Sequence, residues 1–233
     1  MFQFKQFAVD QTNCAMKINT DGVLLGALAT ANDPLNILDI GTGTGVIALM
    51  LAQRFAAAMI DAVEIDEQAA QTAKSNFNNS AFANRLKLYA QSFEEYLNHT
   101  PKKYDLIVSN PPFYINSLES PQAKKNTAKH ADSSFFEDML KAVASHLTNT
   151  GVCWLILPLD TAELVKSIAK ENSLYLQKTI NIRSYPDSKP HREMLVLGLE
   201  DVKVKDKEFI IYQQEKAYSE EYQNTLKDFF TIF

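Results

Sequence analysis

Basic residues are in deficit in this chain. Its 233 residues hold 23 Lys and Arg against 28 Asp and Glu, a formal net charge of −5. That balance excludes attraction to nucleic acid by overall charge and leaves only a local basic patch as a route to such a partner. Cysteine is scarce as well. Cys14 and Cys153 lie far apart, with no Cys-x-x-Cys pair and no metal-ligand spacing. A disulfide framework and a metal site are therefore not expected, and a reducing cytoplasm fits. The segment MFQFKQFAVDQ lacks the apolar core of a signal peptide, and no apolar run is long enough to span a membrane. A cytoplasmic, non-membrane protein is the expectation. Internal repeats, low-complexity tracts and interdomain linkers are missing too. Glycine is rare, at seven residues, so it is informative that Gly41, Gly43 and Gly45 fall within five positions.

What is present is an ordinary globular composition, 46% hydrophobic and 22% charged. Short apolar runs predict strands at 36–40, 59–64, 85–90, 104–109 and 151–157, and alternation predicts a final pair at 174–184 and 193–200. Helical spacing covers 46–55, 67–79, 134–147 and about 160–171. Strands alternating with helices imply βαβ units, and so an α/β, Rossmann-like fold with a seven-stranded, mostly parallel sheet and helices on both faces. We expect one domain over 1–233. Residues 1–34 form a leader outside the alternating core, 35–200 the core, and 201–233 a tail with a strand-like EFIIY (208–212) and a helical stretch at 220–230. In the leader, Asp21 is a candidate cap for a helix beginning near Val23.

Two motifs carry chemistry. LDIGTGTG (38–45) sets its glycines where the first core strand turns into the first core helix. Glycine permits positive φ and close approach of a ligand to the backbone, and the helix beyond offers unpaired N–H groups and a positive dipole end. Such a turn suits a dinucleotide phosphate or the carboxylate of an amino-acid-like cofactor, and Asp39 before it can hold an ammonium group. Glu64 ends the second core strand 19 residues after Gly45, where an acid meets a ribose hydroxyl. Gly43-x-Gly45-x-x-Ala48 also satisfies the loose dinucleotide form, so the turn alone leaves S-adenosylmethionine, a nicotinamide or flavin nucleotide, and a purely structural turn all open.

The second motif is SNPPF (109–113), after the fourth core strand. Asn-Pro-Pro is by itself a rigid turn. In open α/β sheets, however, ligands bind at the carboxyl ends of the strands, and a fourth strand beside the first would place Asn110 in the crevice of the glycine turn. There the Asn110 amide oxygen and the Pro111 carbonyl are able to accept the hydrogens of a planar amino group whose lone pair is delocalised. The prolines, Pro111 and Pro112, fix φ and aim that carbonyl. Phe113 offers a ring on which a base can stack. A cysteine nucleophile is not supported, since Cys14 has no Pro-Cys context and Cys153 lies inside an apolar strand.

LDIGTGTG, VEID and SNPPF, in this order and spacing, resemble the class I S-adenosylmethionine-dependent methyltransferases that act on amino nitrogens. The resemblance implies that Gly41, Thr42, Gly43 and Gly45 wrap the methionine part of S-adenosylmethionine and that Glu64, with Ile65 beside it, holds the ribose end. The family's acid after the third strand is replaced here by AQSFEE, so Gln91 or Ser92 stands at the cofactor's adenine. Only 38 residues precede Asp39, too few for the helical domain of the glutamine-methylating relatives, and no spare target-recognition domain of the DNA-adenine kind is present. With AKHADSSFFEDML (128–140) and YSEEYQNTLKDFF (218–230), the leader resembles the bacterial tRNA adenine-N6 methyltransferases that modify position 37 of a valine tRNA.

The implied partner is tRNA, with the protein expected as a monomer. Two basic groups are candidate RNA contacts. One is Lys124, Lys125, Lys129 and His130; the other is Lys178, Arg183, Lys189, His191 and Arg192. The bland reading of each is a solvated surface. Base flipping suits an anticodon-loop base, which is cheap to extrude. An oxidoreductase, a non-catalytic RNA binder, and a methyltransferase of rRNA, DNA or protein glutamine are the competing functions.

Overall fold

The computed structural model describes residues 1–111 apart from 13 and 15, and residues 124–233, with side chains in the latter span from 133 onward. The leader forms β1 (Phe2–Gln3), β2 (Ala8–Val9) and α1 (Thr20–Leu28). The core follows as β3 (Asn36–Ile40), α2 (Val46–Arg54), β4 (Met59–Glu64), α3 (Glu67–Asn78), β5 (Leu86–Ala90), α4 (Phe93–His99) and β6 (Tyr104–Ser109). Then come α5 (Lys124–His146), β7 (Leu147–Leu157), α6 (Leu159–Glu171), β8 (Tyr175–Arg183) and β9 (Arg192–Gly198). The tail adds β10 (Lys205–Ile210), β11 (Tyr212–Gln214), β12 (Ala217–Tyr218) and α7 (Glu220–Leu226).

One sheet runs in the order β10-β8-β9-β7-β6-β3-β4-β5. Only β9 is antiparallel to its neighbours, β7 and β8. The sheet thus has eight strands where the pattern predicts seven, because β10 joins the edge in parallel beside β8. Its sequence, KDKEFI, hides it: the polar residues face water and bond across the strand pair, Thr179 to Asp206 at 2.5 Å and Asn181 to Glu208 at 3.2 Å, while Phe209 is buried.

Alternate residues of the inner strands point to opposite faces, as the strand period of two demands. Ile37, Leu106 and Trp154 join a core with α1, α2, α3 and α7, whereas Leu38, Ile107 and Leu155 join a second core with α4, α5 and α6. Three smaller differences from the pattern concern helices. The stretch 93–99 is helical because Ser92 caps it, accepting from the Glu95 N–H at 3.2 Å. α5 begins at Lys124, ten residues before the predicted start. At α1 the cap is Asn19, which accepts from the Gly22 N–H at 2.9 Å; Asp21 instead pairs with Arg192 at 2.8 Å. Among the described residues, no helix is long and apolar enough to cross a membrane.

Candidate active site

The strand order reverses at β3. β4 leaves on one side and β6 lies on the other, with Ile40 paired to Ser109. The Ser109 hydroxyl donates to the Ile40 carbonyl at 2.8 Å, fastening the two carboxyl ends together. The glycine turn and Asn110 therefore open into one crevice, the position where open α/β sheets bind ligands.

All three turn glycines have positive φ, 70° at Gly41, 56° at Gly43 and 82° at Gly45. A Cβ at Gly41 or Gly43 would meet nothing within 4 Å, so these two leave open space before the backbone. At Gly45, the cap of α2, a Cβ would come within 2.5 Å of the Phe77 ring. The turn is held from beneath: Gly41 and Thr42 donate to the Val63 carbonyl at 2.9 and 3.0 Å, and Gly43 donates to Glu64 Oε2 at 2.8 Å. Glu64 Oε1 accepts from the Asp66 N–H at 2.9 Å, so the acid already organises both loops around the crevice. Buried Asn76 of α3 ties the same turn to the leader. Its Nδ2 donates to the carbonyls of Thr44 and Asp10, and its Oδ1 accepts from the Asp10 N–H, all at 2.8 Å.

Two buried oxygens at this crevice, Asp39 Oδ1 and Asn110 Oδ1, have no hydrogen-bond partner among the described residues. Buried acceptors are rarely left unpaired, and each such atom calls for a reason. Asp39 is fully buried and accepts from the Thr42 hydroxyl at 2.6 Å through Oδ2. Burial pushes its carboxyl up to about 7. The Thr42 bond and the nearby Ala48 N–H oppose the rise, and the Glu64 charge adds to it. Asn110 is buried too, with Gly22 of α1 beside its amide nitrogen: a Cβ there would lie 3.9 Å away.

The crevice widens into a cleft of about 350 Å³, lined by Gly41, Gly43, Glu64, Ile65, Gln91, Ser92, Asn110 and Pro111 among the expected residues. Ile65 is 75% exposed there, an apolar face without a protein partner over much of its area. The lining also includes Met16 of the leader and Phe135 of α5, which the motifs did not reveal. Met16 had no local signal; Phe135 lay in a helical pattern that marks core as readily as cleft. Thr42 and Asp39 sit behind the lining as support.

The expected RNA contacts lie elsewhere or outside the description. Arg183, Lys189 and Arg192 do not reach the cleft. They belong to the ends of β8 and β9 and the turn between, where Arg183 pairs with Glu208 at 2.5 Å and Arg192 with Asp21. Lys178 lies over the Trp154 ring at 5.5 Å. Pro112 and Phe113 lie outside the described residues, as do the side chains of Lys124, Lys125, Lys129 and His130. No group of three or more His, Cys, Asp or Glu side chains is arranged to hold a metal ion among the described residues.

The methyltransferase small domain family matches residues 17–158. Over its full length the chain is 49% identical to the tRNA1(Val) (adenine(37)-N6)-methyltransferase of Pedobacter heparinus, covering 98% of that protein. Its namesake in Parabacteroides distasonis is 43% identical across 98% of this chain and 97% of its own. Among solved structures, a predicted O-methyltransferase from Agrobacterium tumefaciens superposes with a TM-score of 0.68 at 16% identity, covering 90% of this chain and 96% of that one. TrmN from Thermus thermophilus does so at 0.56 and 20% identity, covering 76% and 47%. At such identities the structures speak for the fold alone.

Fold and family match together define a class I, Rossmann-like methyltransferase, which disfavours the nicotinamide reading of the glycine turn. By its full-length likeness to the curated relatives, the chain belongs to the tRNA1(Val) (adenine(37)-N6)-methyltransferase family.

Proposed function

We propose that the protein transfers a methyl group from S-adenosylmethionine to the exocyclic N6 of an adenine in tRNA, namely adenine 37 in the anticodon loop of tRNA1(Val). The observation that carries this reading is the Asn110 oxygen, which has no hydrogen-bond partner among the described residues and is buried at the mouth of a cleft built on a glycine turn. When bound, S-adenosylmethionine supplies a methyl group already activated on a sulfonium, so the chain need not generate a strong leaving group. Its residues fit this ligand: the open space before Gly41 and Gly43 admits a close backbone approach, Asp39 behind the turn would favour a nearby ammonium by its charge, and Glu64 in the lining would take ribose hydroxyls. Ile65 gives an apolar face to the adenine end, with Gln91 and Ser92 at its polar edge.

At the acceptor, Asn110 Oδ1 and the Pro111 carbonyl receive the N–H hydrogens of the amino group. This orients its nitrogen and favours the positive charge that develops there, the logic of a preorganised polar site. Pro111 restricts Asn110 to extended backbone and fixes its own φ, so both acceptors are aimed in advance. Phe113 is assigned as the stacking face for the target base.

The test is methyl transfer to unmodified tRNA with labelled cofactor, followed by digestion and nucleoside mapping. Labelled N6-methyladenosine at position 37 is expected. Asn110→Ala should lower kcat on the order of 10²-fold or more and leave the S-adenosylmethionine Kd within about twofold. Normal turnover by that variant would refute the assigned role. Label confined to rRNA, DNA or glutamine would move the substrate.

A further inference from the structure

Three cavities lie in series along the carboxyl edge of the sheet. The cofactor cleft shares Met16, Gly41, Gly43 and Asn110 with a small cavity of about 40 Å³. That cavity shares Ile18 and Asn19 with a groove of about 440 Å³ between leader and tail. The groove therefore starts where the space around Asn110 ends. Its walls combine four aromatic residues, Phe2, Tyr218, Tyr222 and Phe230, with aliphatic and uncharged polar side chains such as Ile18 and Asn19. The rings are ordered: in the wall Tyr218 stacks on Tyr222 at 4.7 Å and 10°, and it also stacks on Tyr212, beyond the lining, at 5.1 Å and 21°. Tyr185, 39% exposed, continues the row at 5.6 Å from Tyr212. At the junction of cavity and groove stands exposed Lys17, with no ion pair among the described residues.

We infer that this groove docks an unpaired nucleotide that neighbours the target base on the same RNA strand, its base against the tyrosine and phenylalanine rings and its phosphate near Lys17. The inference rests on the reaction assigned above. Three features favour this occupant. A base held at Asn110 leaves the next nucleotides of its strand within reach of the cavity that leads into the groove. Aromatic rings bind any base through its π-face, which suits single-stranded RNA. With a net charge of −5 the chain has no general attraction for a phosphate backbone, so affinity must come from local contacts of this kind.

Lys17→Ala and Ile232→Glu test the groove with little risk to folding, because Lys17 is exposed and Ile232, on the groove wall, is 68% exposed. Each should raise the KM for tRNA about fivefold or more, on the scale of a lost stacking or phosphate contact, with kcat and the S-adenosylmethionine Kd within twofold. Lys17→Ala should also reduce the slope of log affinity against log salt by about one counterion. In parallel, 4-thiouridine placed beside adenine 37 should crosslink to peptides from 1–5 or 212–233.

Unchanged KM in both variants, or crosslinks confined to other segments, overturns the groove while tRNA methylation by the wild type leaves the reaction standing. No methylation of any tRNA by the wild type overturns the reaction itself. A dimer abolished by Ile232→Glu with KM unchanged gives the groove to a second copy and also overturns the proposal.

Discussion

Asp39 is the residue at which folding and ligand binding pull in opposite directions. It is fully buried, its Oδ1 has no hydrogen-bond partner among the described residues, and burial raises its carboxyl from 3.8 to about 7. Between those values the folded protein keeps a proton that the unfolded chain has lost. Stability of the ligand-free protein therefore falls as pH rises through that window, by up to roughly 1.4 kcal/mol per pH unit. Asp39→Asn, which cannot ionise, should flatten this part of the profile in denaturation midpoints taken from pH 4 to 8. S-adenosylmethionine should reverse the dependence in the wild type. The ammonium proposed to lie near Asp39 would favour its ionised form, so calorimetric affinity should rise towards pH 7 and lose that rise in Asp39→Asn. The sequence displayed Asp39, the glycines and Asn110 because turn chemistry at a strand end is local. It did not display Asn76, whose partners Asp10 and Thr44 are 66 and 32 residues away. A helical Asn of that kind looks like surface until the tertiary fold brings a carbonyl to it.

At the level of elements, the turn between β3 and α2 divides its glycines between two tasks. Gly45 is needed by the protein, since its φ of 82° and the Phe77 ring 2.5 Å from a Cβ both oppose a side chain. Gly43 is the one assigned to the ligand, since its Cβ would meet no protein atom within 4 Å. Gly45→Ala should thus cost about 1–2 kcal/mol for the left-handed backbone plus about 1–3 kcal/mol for overpacking. Gly43→Ala should cost only the backbone part, yet weaken S-adenosylmethionine binding tenfold or more. Chemical denaturation and calorimetry on both variants separate the two, and equal stability losses would contradict the division. The buried strands β3, β4 and β6 were legible to within a residue because they are continuous apolar runs bounded by turn chemistry. β10 was read only as a strand-like piece of the tail, because an edge strand has one face and one side in water and its charges mask the alternation.

Across the whole molecule, leader and tail are parts of the core. Phe4, Phe7 and Val9 are buried in the same cluster as β3 and α2. Phe4 forms a bridge with Phe230, and Lys5 donates through its N–H to the Phe229 carbonyl at 2.8 Å. From this anchor the leader passes to its second fastening, the Asp10–Asn76 pair, then to Met16 at the cleft and Asn19 at the α1 cap. The sequence pattern of 1–34 does not display these contacts, since two-residue strands have no period to detect. The layout links the cleft, through Met16, to a contact between the two chain ends. Phe4 touches Phe2, Phe7 and Phe230 with ring centroids at 4.9, 4.5 and 5.7 Å and has no exposed surface. Phe4→Ala should therefore cost about 3–5 kcal/mol of stability, and do more than loosen a terminus. Freed at its first anchor, the strap should hold Met16 less well, so hydrogen exchange should quicken at residues 3–18 and the S-adenosylmethionine Kd should rise about threefold or more. In the same experiment the buried amides of β3 and β6 should lose protection only by the global change in stability. A Kd unchanged in Phe4→Ala, with the protein still folded at the assay temperature, would show that the cleft is built by the sheet and its turns without help from the leader.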